Sequence, residues 1–208
     1  MGKGLLCALN ELSTHHDTEY NDFHLPKDFY HPGYLVAMAA YLHHHRVEKR
    51  GFDCHPEIAG YLDAMAMSSA LWGSDGYVQQ RINEGRNYSV ITPLHSEEVV
   101  DVATTSINGC IREFTQGNTH SGINELFHVV GELHDNVWSH GLSSGFSMAQ
   151  KTKVPYIDDN YLEFSLADSG LGFLAETNRA GIGGNDSNQL KWCLSIKAPI
   201  TFSWSSTE

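Results

Sequence analysis

The chain has 208 residues, with 13 Lys and Arg against 25 Asp and Glu and a formal net charge of -12. That balance, with no basic run, excludes a direct nucleic-acid binder, which needs clustered cations to neutralise phosphates. A hydrophobic share of 41% is enough for the core of one large domain or two small ones, and no apolar run approaches the roughly 20 residues of a membrane span.

Residues 1–30 show no clear period, and the stretch THHDTE at 14–19 reads as loop. His31-Pro32-Gly33 then introduces a helix over 34–50. Leu35, Met38, Ala39 and Leu42 form its apolar stripe, Arg46, Lys49 and Arg50 close its end, and Gly51 stops it. A shorter helix is expected over 58–67, a strand over 88–92 and a third helix over 97–114. The polar stretch GNTHSG at 117–122 marks a domain boundary. Beyond it lie a long helix over 123–140 and a hairpin of two strands, 145–153 and 161–167, with its turn around Pro155 and Asp158-Asp159-Asn160. Cys7, Cys54, Cys110 and Cys193 are widely spaced, which argues against a disulfide framework or a zinc site and for a reducing cytoplasm.

The long helix carries GELHDNVWSHG at 131–141. At about 100° per residue, Leu126, Val130, Leu133 and Val137 fall on one stripe, the expected core face. Glu132, Asn136 and His140 fall on a second stripe about a quarter-turn away, at the edge of the packed face where a pocket can open. A solvated polar face is the bland alternative. Against it stands Asn136, a middling helix former with nothing to gain in mid-helix. Downstream, the second hairpin strand runs YLEFSLADSGLGF and ends on Asp168, with Gly170 and Gly172 behind it. Those glycines suit a backbone that approaches a flat ligand closely, and the aspartate can accept a hydrogen bond from an amino group.

Taken together, ELHDN and DSGLG resemble two motifs of the GHKL superfamily of Bergerat-fold ATPases, which includes gyrase, heat-shock chaperones, histidine kinases and MutL. Glu132 and Asn136 match the N box, and Asp168, Gly170 and Gly172 match the first glycine box. The histidine of NVWSHG is closest to the histidine-kinase and anti-sigma-kinase branch. The resemblance covers roughly residues 123–200. It implies an α+β fold: a two-layer, Bergerat-type α/β sandwich, C-terminally incomplete, over 119–208. An α/β N-terminal module over 1–118, faintly similar to the STAS type, precedes it as a sensor or docking part. It also implies that Asn136 binds the Mg²⁺ bridging the ATP phosphates and that Glu132 is the general base. Asp168 reads the adenine amino group, Gly170 and Gly172 let the loop pass over the base, and His140 shapes the phosphate end. ATP and Mg²⁺ are the implied cofactors, with a protein partner as phosphoacceptor and a homodimer as the common assembly of such proteins.

The later cluster RAGIGG at 179–184 runs into Asn185-Asp186-Ser187, a helix N-cap before NQLKWCL, and reads as a loop instead of a second glycine box. The complete domain would hydrolyse ATP or transfer its γ-phosphate to a protein. The alternative expectation is a non-catalytic, nucleotide-gated interaction module. Among the 13 histidines, the run His43-His44-His45 fans around its helix instead of converging on an ion. His128 with Glu132, and His134 with His140, lack a third ligand at metal spacing. Cys193 is expected in the core.

Overall fold

A computed structural model describes residues 3–74, 77, 79–117, 121–141, 145–153, 160–168 and 202–205. The chain is of the α+β class, with a three-stranded and a four-stranded sheet among the described residues. The first half opens with helix α1 (Leu5–Glu11). Strands β1 (His16–Asp17), β2 (Asp22–Leu25) and β3 (Phe52–Cys54) then form the small sheet in that order. Helix α2 (Pro32–His44) connects β2 to β3, which run parallel, and helices α3 (Pro56–Ala64) and α4 (Met67–Trp72) follow. Strand β4 (Tyr88–Leu94), helices α5 (Glu97–Phe114) and α6 (Ser121–Gly141), and strands β5 (Gly145–Lys153), β6 (Asn160–Asp168) and β7 (Phe202–Ser205) complete the order. No helix of the described residues is long and apolar enough to cross a membrane.

Several boundaries have local causes. Ser96 caps α5 by accepting the Val99 N–H at 3.4 Å, and Glu97 and Glu98 sit in the first turn, where a carboxylate favours the helix dipole. α2 ends at His44, short of the expected 50, because Arg46 turns left-handed (φ 53°) and the Val47 N–H folds back onto the Leu42 carbonyl. The helix expected over 58–67 is instead two, since Ala66 adopts φ 60° and breaks the ladder between α3 and α4. Residues 3–25, which show no clear period, supply α1, β1 and β2, and the expected loop at 14–19 includes β1. The hairpin turn at 154–159 lies outside the described residues, as does the expected helix at 188–194.

The larger sheet is antiparallel, β4-β5-β6-β7. In the central pair, Phe146 sits opposite Ala167 and Met148 opposite Ser165, while Ser147 faces Leu166 and Ala149 faces Phe164. Side chains alternate between faces along a strand, so these two sets look in opposite directions. Phe146 and Met148 pack with α2 residues such as Leu35, Met38 and Leu42, in a core shared with β2, α3 and Ile91 of β4. Ala149, Leu162 and Phe164 pack instead with Ile107, Cys110 and Ile111 of α5 and Ile123 and Val130 of α6. Leu94, Val100, Ala103 and Val137 close that face at one end.

Helices therefore cover both faces of the sheet, and the two layers expected are three. The reason is that β5 is buried on both sides from Gly145 to Ala149, which a one-sided sheet cannot achieve. The expected boundary at 118 falls at the α5–α6 junction, yet sheet and core run across it: β4 pairs with β5, and α2 packs on β5 and β6.

A buried carboxylate fastens α2 to the sheet. Glu163 of β6 shares a face with Ser165 and is only 7% exposed. Its Oε1 accepts the Gly33 N–H at 3.0 Å and the Ser165 hydroxyl at 3.3 Å. His31 Nδ1 lies 3.6 Å from Oε2 and 3.1 Å from the Tyr161 hydroxyl. An acid at a helix N-terminus meets free N–H groups and a favourable dipole, which offset its desolvation. Replacing it with alanine strands the Gly33 N–H in a closed space. Glu163→Ala should cost about 2–3 kcal/mol in urea unfolding, and Glu163→Gln about half as much, since the amide keeps an acceptor. A Glu163→Ala midpoint equal to that of the wild type would show that α2 is not held there.

Candidate functional site

Helix α6 carries Glu132 and Asn136, and the open end of the β5–β6 pair carries Asp168. Gly145 begins β5 and pairs directly with Asp168, the last residue of β6. A Cβ at Gly145 would fall 2.3 Å from Val137 Cγ1 and 3.1 Å from the Ala167 carbonyl, so only glycine admits the helix this close. Val137 is 7% exposed and packs with Leu94, Val100 and Ala103. Asn136 is its chain neighbour. The last turns of α6 thus rest on the end of the sheet that carries Asp168.

Glu132 and Asn136 are both exposed, which corrects the expectation that they line the edge of the packed stripe. The buried positions of α6 are Ile123, Val130, His134 and Val137, with Leu126, Phe127 and Leu133 half-buried at the margins. His134, 0% exposed, lies inside the packed arc about 20° from its Phe127 margin, while Leu133 sits at the other margin. At about 100° per residue, Glu132 and Asn136 then lie roughly 160° around the axis from His134, one to each side of the far pole. Asp168 is exposed at the strand end. The backbone of His140 belongs to α6, while its side chain, Gly170 and Gly172 lie outside the described residues.

From the sequence, His134 is weighed only as a metal ligand and not as a core residue. Its spacing of four from Val130 and three from Val137 was the available signal. Its Nδ1 lies 2.8 Å from Thr104 Oγ1 of α5, and its ring meets Phe164 edge-on at 5.8 Å between centroids. Its Nε2 is buried without a hydrogen-bond partner among the described residues. Burial pulls its pKa down from 6.5 to about 4, since the charged form loses its hydration. Cys110, beneath the same helix pair, is a core thiol pushed up to about 12 by burial, which marks it as inert.

Two clefts among the described residues lie in the first half of the chain, away from α6. The larger, about 530 Å³, is lined by His15, His16, His24, Asp17, Asp53 and Arg50 among others; the smaller, about 180 Å³, runs past Cys54, Leu62 and Trp72. No group of three or more His, Cys, Asp or Glu among the described residues is arranged to hold a metal ion. His43 instead meets Phe146, and His45 packs on Tyr41 and His16.

No family model, curated protein or solved structure matches the chain.

The His134 environment fixes the sign of a pH effect. The unfolded chain takes up the proton near pH 6.5 and the folded chain only near 4, so the contribution of this residue is complete above pH 6.5. It is lost as pH falls through that window, by up to about 3 kcal/mol. His134→Leu should flatten that part of the stability profile. Chemical denaturation of both proteins between pH 7 and pH 4 isolates the difference, and parallel profiles would contradict the assignment.

Proposed function

We propose that this chain binds Mg-ATP at the end of the β5–β6 sheet in the manner of the GHKL superfamily, and in its full form hydrolyses it or passes the γ-phosphate to a protein. The observation that carries the reading is the packing of Val137 on Gly145 opposite Asp168. It sets the backbone of the α6 segment that carries Asn136 beside the strand end that carries Asp168, with both side chains exposed, and this supports the reading. The antiparallel sheet with α5 and α6 laid across one face supports a Bergerat-type helix-on-sheet layer, with α2 as an added third layer on the other.

The residues suit the ligand. Asn136 presents an amide oxygen, a hard donor of the kind Mg²⁺ accepts when phosphates and water supply the rest of its shell. Bound there, the ion would neutralise charge on the phosphates. Glu132, exposed one turn before Asn136 on the same side of the helix, would accept a proton from the attacking hydroxyl or water. Asp168, exposed where β6 ends, would accept the adenine amino group.

Thermal shifts with Mg-ADP and Mg-ATP test the pocket. At a hundredfold excess over Kd the wild type should gain about 2.7 kcal/mol, or roughly 5–10 °C in Tm. Asp168→Ala should lose most of that gain, and equal shifts in the two proteins would end the adenine assignment. Phosphate release then tests the chemistry: Glu132→Gln should bind nucleotide as the wild type does and turn it over at least a hundredfold more slowly. Binding without turnover in either protein would favour the nucleotide-gated interaction module.

A further inference from the structure

The packed arc of α6 is broad. Measured around the axis at about 100° per residue, it runs from Leu133 and Leu126 at one margin to Phe127 at the other, an arc of about 120°. Apolar burial is non-directional, so the helix can roll within that arc and stay covered. A roll of about 20° moves a side-chain tip by about 2 Å at the surface radius of an α-helix. Glu132 and Asn136, near the far pole, would both be displaced by it, and displacements of that size are large for a group that must meet a ligand.

One directional contact lies inside the arc. His134 Nδ1 meets Thr104 Oγ1 at 2.8 Å, and α5 and α6 come close beside it, where a Cβ on Gly131 would lie 3.9 Å from Thr104 Cγ2. Leucine at 134 would fill the place and leave no buried nitrogen without a partner, whereas the histidine leaves Nε2 in that state. Departures of this kind from the local rule concentrate where function constrains the chain. The geometry points to the Thr104–His134 hydrogen bond as the pin that fixes the rotation of α6, and so to His134 as a positioning residue for Glu132 and Asn136. The pin itself stands on the packing alone; its consequence for nucleotide rests on the Mg-ATP reading above.

The decisive variant is the double substitution Thr104→Val with His134→Leu in the full chain. It removes both polar groups together, so the fold should hold its melting temperature, while the directional bond is gone. Trp138, 39% exposed and one turn beyond His134, reports the rotation when the protein carries 5-fluorotryptophan. Its ¹⁹F line is assigned by Trp138→Phe. The wild type and Thr104→Ser should give one sharp Trp138 line, and the double variant a shifted, broadened or split one. With Mg-ATP as probe, the double variant should bind at least tenfold more weakly at unchanged Tm, with Thr104→Ser restoring affinity. A double variant with the wild-type Trp138 line overturns the pin. A disturbed line with wild-type nucleotide affinity overturns the positioning role. A wild type that ignores Mg-ATP removes the nucleotide reading and that positioning role with it, leaving the ¹⁹F line to decide the pin.

Discussion

A carboxylate buried on the inner face of a sheet constrains everything laid over it. Glu163 cannot stay desolvated without donors, and the donors it has are the Gly33 N–H and the Ser165 hydroxyl, with His31 close beside them. Pro32 has no N–H and takes the first helical position, where none is missed. Gly33 therefore offers the first donor, and the start of α2 must lie over Glu163. Once that end is placed, the helix runs across Phe146 and Met148, and its nearly all-round apolar sequence is covered by the sheet on one side and by α1 and α4 on the other. A hydrophobic patch alone would accept α2 in several positions; the charge selects one.

The opposite face obeys the same division of labour. Ile107, Cys110, Ile111, Val130 and Phe164 supply the burial, and buried area of this kind is what holds the α5–α6 pair on the strands. Its placement has two parts, its depth over the strand end and its rotation about its own axis. Gly145 lets Val137 descend to the strand end, and Thr104 meets His134 inside the packed arc. On each face a polar contact fixes the position that apolar contact leaves open.

This division decides how much of the molecule is legible in its residues. Helix α5 and strand β5 occupy the spans read from periodicity, because both are long and carry clear signals: a capping serine followed by two glutamates in one, and alternation to a lysine in the other. Strands β1, β2 and β3 are two to four residues long, shorter than any period can reveal, and Phe23 and Leu25 tie the small sheet into the core built around α2. The alternation of YLEFSLAD suggests one wet face, since Glu163 and Ser165 look solvated; Ser165 donates to Glu163 on its own strand, but Glu163 also takes the Gly33 N–H from 130 positions away, and no local pattern encodes that. On α6 the candidate pair was visible through residue type, but its facing was not. The buried arc runs past the four-residue stripe to Ile123, His134 and Phe127, which turns Glu132 and Asn136 farther from the sheet.

The three layers meet in a single pair of strands. β6 carries Glu163 and Ser165 toward α2, Leu162 and Phe164 toward α5 and α6, and Asp168 at its end. β5 carries Phe146 and Met148 one way, Ala149 the other, and begins at the glycine that seats α6. Displacement of α2 would expose Glu163 and loosen the strand that carries Asp168. A roll of α6 would move Glu132 and Asn136 relative to that same strand end. The first half of the chain is thus part of the scaffold that holds the strand end in place, and its β4 is hydrogen-bonded into the sheet at Leu94 opposite Gly145. Strands β5 and β6 therefore tie the two halves together, because α2 packs on one face of them and α5 and α6 on the other.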